Sequence, residues 1–317
     1  DKLTYSGSEN IEIEILKDTQ EIFINSKNID IESAEVFQNK NIKVKDIKYN
    51  EKNRITKFLL NEKIKKGNAK LSIKFKAKIS ESLRGFYKST YNLPNGKSKT
   101  MLTTQFEPND ACTCFPCFDE PELKAKFNLT LMIPENLEAI SNMPVKSQSS
   151  IGKFKKIFFD ETPIMSTYLL AFIVGEFEYL EDKTKDNVLI RIITTPGKKH
   201  LGKFALDTTI KILEYYNDYF KIPYPLPKLD LIAIPDFEAG AMENWGLITY
   251  REIALLYDEK NSSVSRKKRI AEIVTHEIAH QWFGNLVTMK WWNDLWLNEG
   301  FASWMESKAA DAIYPEF

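Results

Sequence analysis

The sequence predicts an α+β protein: an antiparallel β domain over residues 1–175, then a helix-bearing domain over residues 176–317. Apolar residues alternate with charged or polar ones through Ile11, Ile13 and Ile15 and through Leu71, Ile73, Phe75, Ala77 and Ile79, the period of strands with one wet face. From Lys203 the spacing changes. Leu206, Ile210, Leu213 and Tyr216 fall three or four apart, the period of a helix.

The elements follow in order. Strand-like runs at Phe127–Ile133, Lys155–Phe159 and Tyr168–Phe177 are separated by turn chemistry such as Leu93-Pro94-Asn95-Gly96. Strands without long helices between them imply an antiparallel sandwich or an open, saddle-like sheet. After Gly175 one more strand, Val188–Thr194, leads to a helix over Lys203–Phe220. The proline-spaced segment Ile222–Pro227 stops that helix, because proline lacks the N–H and fixes φ. Leu229–Ile234 reads as a short strand. Ile270, Ile273, Val274 and Ile278 then repeat helically within Val264–Phe283, with Gly284 placed to end the helix. A further helix is expected to begin near Asn293 or Asp294, either of which would cap it, and to run through Leu297 and Met305.

At 317 residues with 43% hydrophobic positions, the chain can bury cores for two domains. Lys+Arg and Asp+Glu both total 44, so no long-range field draws in nucleic acid or an anionic membrane. The given chain has no apolar run of membrane-spanning length and no signal-peptide order in its first residues. It begins at Asp1 rather than Met, so a targeting or anchoring segment could precede it. Cys112, Cys114 and Cys117 form an odd, tight cluster with no second cysteine group, and His200 is the only histidine outside the motif described next. That reads as reduced, buried thiols rather than a disulfide framework or a metal site.

Chemistry concentrates near the end. His276-Glu277-Ile278-Ala279-His280 sets two imidazoles four apart on one helix face, within reach of a single ion. Two of the chain's three histidines fall in this motif, which makes a chance occurrence a poor explanation. Glu277 would lie beside the ion, placed to take a proton from water rather than to serve as a ligand. A catalytic zinc takes three protein ligands and keeps one position open. Glu299, nineteen residues beyond His280, supplies the third, because a helix–loop–helix return brings it back. Its mostly apolar surroundings, Trp296 to Phe301, leave a carboxylate in need of a partner. The chemistry expected is metal-assisted hydrolysis with one Zn2+ per chain, which lowers the pKa of water from about 16 to about 7.

At this point the residues resemble a known family. Gly240-Ala241-Met242-Glu243-Asn244-Trp245-Gly246, the segment His276 to Thr288 and the segment Trp291 to Ala302 look like the signature blocks of the gluzincin aminopeptidases. Gln105-Phe106-Glu107-Pro108, Phe115 to Pro121 and Met165 to Leu169 look like family blocks as well, so the resemblance runs through nearly the whole chain. It implies a saddle-shaped β domain followed by a thermolysin-like catalytic domain, truncated before its end. The implied activity is removal of the N-terminal residue from peptides. Glu243 and Glu107 would bind the free α-amino group, Gly240 and Ala241 would align the substrate backbone, and Met242 would line the pocket for the first side chain. Carboxylates on a cationic amine make charge-assisted hydrogen bonds, and an amine fixed beside the metal selects the first peptide bond.

The family often has an arginine where Cys112 stands, which puts the ion pairing of that loop in question. Its oxyanion-stabilising tyrosine is expected beyond Phe317, the last residue, which lies eighteen positions after Glu299. The chain is therefore read as a partial segment. Alternative readings are a zinc endopeptidase, an epoxide hydrolase on the same scaffold, or an inactive binding fragment; a glutamine is expected in place of Glu107 for the epoxide branch. Peptides with a free N-terminus are the expected partners. Oligomeric state is not legible. The segment Pro196 to Leu206 looks like the cytosolic branch of the family, which favours a cytoplasmic location. Asn128-Leu129-Thr130 and Asn261-Ser262-Ser263 fit the glycosylation pattern of an extracellular or membrane-anchored ectodomain.

Overall fold

The structure, a computed structural model, describes residues 3–93 and 95–317. Pro94, in the expected Leu93–Gly96 turn, lies outside them, and the Gly96 N–H donates to the Leu93 carbonyl at 2.9 Å. The chain divides into two compact units, one of Asp1–Tyr87 and Phe106–Asp119, the other of Lys88–Gln105 and Glu120–Phe317.

The first unit is built on six strands: β1 (Thr4–Ile15), β2 (Thr19–Asn25), β3 (Ile29–Gln38), β4 (Lys40–Asn50), β5 (Ile55–Ile64) and β6 (Gly67–Lys78). They form one antiparallel sheet in the order β1-β6-β3-β4-β5-β2. The alternation read from the sequence is the reason. In β6, Leu71, Ile73, Phe75 and Ala77 are buried with Val36, Phe58 and Leu60, while the intervening lysines stay wet. The three cysteines are free and buried, and burial pushes the Cys112 and Cys114 thiols up to about 12, so neither supplies a thiolate at neutral pH. The ion pair in that loop comes from Arg54, whose Nη1 lies 2.8 Å from Asp110 Oδ1.

β7 (Gly85–Asn92) runs from the first unit into the second. Next come β8 (Ser98–Gln105), β9 (Thr130–Pro134), β10 (Glu138–Ser141), β11 (Val145–Ile151), β12 (Phe154–Phe159) and β13 (Phe172–Gly175). They make a four-stranded sheet, β10-β13-β8-β7, and a three-stranded sheet, β11-β12-β9. The expected strand at Tyr168–Phe177 is only β13. Thr167–Leu169 instead form a 3-10 turn, because a fully buried apolar run carries no period to separate strand from turn.

The remainder comprises β14 (Glu178–Lys183), β15 (Leu189–Thr194), β16 (Lys228–Ile234), β17 (Ala241–Met242) and β18 (Leu247–Arg251), with helices α1 (Lys203–Phe220), α2 (Glu252–Leu255), α3 (Val264–Ala279) and α4 (Trp296–Ile313). The sheet order is β14-β15-β16-β18-β17. β15, β16 and β18 run parallel and the two outer strands antiparallel. α3 packs against α1 and α4. It stops at Ala279, four residues short of the expected end, because the N–H groups of Gln281 and Trp282 turn to carbonyls three residues back. Neither Asn293 nor Asp294 caps α4. Both lie in a 3-10 turn, and Leu295 holds the cap position without a side-chain bond. Among the described residues no helix is long and apolar enough to cross a membrane.

Candidate metal centre

Local packing sets the end of α3. The Ser263 hydroxyl accepts from the Arg266 N–H at 3.2 Å and starts the helix, and the buried face of Ile270, Val274 and Ile278 holds it down. Tyr216 of α1 donates to the Thr275 carbonyl at 3.2 Å. Trp282 donates from Nε1 to the Ile222 carbonyl at 2.9 Å, with the Tyr216 and Phe220 rings 5.7 and 5.2 Å from its own. The aromatic residues beyond the histidine motif therefore anchor it to α1. At the other side, buried Asn298 accepts from the Met289 N–H at 3.4 Å, which ties the first turn of α4 to the preceding loop.

His276, His280 and Glu299 offer three atoms within 4.8 Å of one another, a group able to hold a metal ion. The two Nε2 atoms lie 3.0 Å apart, and Glu299 oxygens lie 3.3 Å from His276 and 3.7 Å from His280. His280 Nδ1 lies 2.9 Å from the Phe283 carbonyl, which can only accept, so Nδ1 carries the proton. His276 Nδ1 lies 3.0 Å from Glu306 Oε2 and donates in the same way. In its neutral form each ring thus turns a bare Nε2 inward toward the Glu299 carboxylate. With both Nε2 atoms deprotonated, three donors at this spacing demand positive charge, and donors about 2 Å from one tetrahedral zinc stand about 3.3 Å apart. Two imidazoles and a carboxylate fit zinc.

The electrostatics of the chain by itself report the same demand. Burial opposes protonation of both rings, yet Glu299 and Glu306 lift His276 to about 9, and Glu243 and Glu299 lift His280 to about 10. The two histidines hold Glu299 well below the usual carboxylate range. Burial pushes Glu277 up to about 8, against the pull of His280 and with the push of Glu243. Glu277 Oε2 and Glu243 Oε1 are buried with no hydrogen-bond partner among the described residues, an orphaning that a ligand or water must relieve.

Glu243 follows β17, the edge strand of its sheet, and offers an oxygen within 4.8 Å of one on Glu299. Ala241 and Met242 pair with Tyr250 and Thr249 of β18, and the Gly240 carbonyl accepts from the Arg251 N–H at 3.0 Å. Met242 is buried, and Gly240 has open space where a side chain would stand. Glu107 lies in the first unit, after β8 and before Pro108, and its assignment rests on its sequence block. Sequence reasoning missed Glu306. Its signal was present, because a residue seven beyond Glu299 returns to the same helix face.

Two family descriptions match the chain: the Peptidase M1 N-terminal domain over residues 1–169 and the Peptidase family M1 domain over residues 204–317. The chain belongs to the M1 peptidase family. The second M1 match contains Glu243, Glu277 and the whole donor set. An M1 relative named aminopeptidase M1, from Arabidopsis thaliana, is 47% identical over 99% of this chain and 36% of its own length. Puromycin-sensitive aminopeptidase from Caenorhabditis elegans is 45% identical over 100% of this chain and 34% of its own length. Endoplasmic reticulum aminopeptidase 1 from Mus musculus is 54% identical over 77% of this chain and 26% of its own length. The chain thus spans about a third of the length of the M1 relatives it matches.

Proposed function

We propose that this M1 protein is a zinc aminopeptidase that removes the N-terminal residue from peptides, with zinc held by His276, His280 and Glu299. The observation that carries this reading is the convergence of the Nε2 atoms of His276 and His280 and a Glu299 oxygen beside two buried carboxylates with unpartnered oxygens. When bound, zinc supplies a Lewis acid and makes water nucleophilic at neutral pH. Glu277 is the general base. Its free Oε2 receives the proton from water and holds it for the departing amine, and its burial keeps bulk water from competing for that proton. Glu243 takes the peptide's α-ammonium in a charge-assisted hydrogen bond. An amine held so close to the donor set admits one residue before the scissile bond.

The division into residues 1–175 and 176–317 is supported by the two family matches, which end at 169 and begin at 204. The short edge strand β17 supports the roles of Gly240 and Ala241, since an edge presents backbone groups to an extended peptide. Met242 is assigned to the wall of the first side-chain pocket. We place the protein in the cytoplasm on the resemblance of Pro196 to Leu206, and imaging of a fluorescent fusion checks that placement. The activity is tested with the full-length protein on a peptide and its N-acetylated twin: stepwise loss of residues from the free peptide alone is expected, and equal cleavage of both would refute it.

A further inference from the structure

Glu243 can choose the first peptide bond only if its distance from the donor set is fixed, and its own side chain does not fix it. β17 has two residues, and Glu243 lies just past its end. The Glu243 backbone is held from the other side. Asn285, fully buried in the turn after α3, donates from Nδ2 to the Glu243 carbonyl at 2.9 Å. The Asn285 backbone N–H donates to the His280 carbonyl at 3.0 Å. One residue therefore spans from a proposed zinc ligand to the proposed amine anchor by two hydrogen bonds. The amide has no other task, since its Oδ1 finds no partner among the described residues. Its orientation is fixed as well, because a carbonyl can only accept and so must face the NH2 group. Gln281 adds a longer second bond to the same carbonyl, at 3.4 Å, while donating to the Glu277 carbonyl at 3.0 Å.

We propose that Asn285 is a positioning residue that sets the separation between the Glu243 carboxylate and the zinc-binding segment, and thereby the restriction to a free α-amine one residue from the cut. This rests on the aminopeptidase reading. Asn285 touches no substrate and acts through the Glu243 backbone. A buried donor lost from a carbonyl leaves that carbonyl unsatisfied, and Glu243 then relaxes away from the register that one-residue removal needs.

The test uses the full-length zinc-loaded protein and two metal-chelating probes, leucine hydroxamate and its des-amino twin, with affinities measured by titration calorimetry. Wild type should bind the amino form more tightly. In Asn285→Ala the ratio of the two affinities should fall about tenfold, the scale of one buried hydrogen bond, with des-amino affinity and zinc content unchanged. Affinities that fall together, or a ratio that stays as in wild type, would overturn the proposal. Should Asn285→Ala lose its cooperative melt, Gln281→Met, which removes the second bond at nearly constant volume, is read by the same ratio with a smaller fall expected. A wild type without amine preference would sink the aminopeptidase reading together with this one, whereas a preference that survives in the variants sinks this one alone.

Discussion

Glu306 touches His276 through Nδ1 at 3.0 Å and holds the ring's other nitrogen toward the donor set. Removing its charge should therefore loosen the metal without removing the base. Glu306→Gln is expected to weaken zinc affinity about 10–100-fold, measured by competition with a chromogenic chelator. Glu277→Gln should do the reverse, keeping zinc near one per chain while turnover falls about 10²–10⁴-fold; atomic absorption and a peptide assay on the same preparation check both. The pH dependence of metal uptake follows from His276 at about 9 and His280 at about 10. At neutral pH both rings of the metal-free chain carry protons that zinc must displace. Uptake at neutral pH should release about two protons per ion, and apparent affinity should rise with pH up to about 10. Calorimetry in buffers of different ionisation enthalpy counts those protons, and an affinity independent of pH would contradict the assignment.

At the scale of elements, the segment after β17 is pinned through its backbone carbonyls. The Asn142 Nδ2 donates to the Trp245 carbonyl at 2.9 Å, and the Lys228 ammonium donates to the Gly246 carbonyl at 2.7 Å. Gly246 has φ +80°, and a Cβ there would stand 2.4 Å from the Asn142 carbonyl oxygen. Both facts forbid a side chain, so Gly246→Ala should cost at least about 1–3 kcal/mol, read as a shifted urea midpoint. The sequence showed the glycine but not the carbonyl it meets, which lies about a hundred residues earlier in the chain. The helices divide the same way. α1 spans the expected Lys203–Phe220 because period and proline stop agree. α3 ends early, yet His280 keeps right-handed helical angles at the cap, and so the two imidazoles still share a face. α4 starts without the expected cap because Asn298 and the 3-10 turn before it, rather than a cap side chain, dock its first turn.

At the scale of the molecule, each unit carries its own buried core. In the first unit, Leu71 is fully buried on β6, between β1 and β3. Leu71→Ala should cost about 2–5 kcal/mol there, measured by chemical denaturation, with zinc content of the folded protein unchanged, since every proposed ligand lies in the second unit. The formal charge of +0 leaves recognition to local groups, such as the proposed amine anchor Glu243, rather than to a field over the whole surface.

The β-then-α order, the family, and the proposed donor set with its proposed base were legible in the sequence, because strand and helix periods are local and a four-residue step on a helix already aims two imidazoles at one point. Only packing set the edge position of β17, the pairing of His276 with Glu306, the Nε2 atoms turned to Glu299, and the Asn285 bridge from His280 to Glu243. These contacts join segments separated by loops whose closure no periodicity encodes, and a hydrogen bond 2.9 Å long exists only once packing has brought its two ends together.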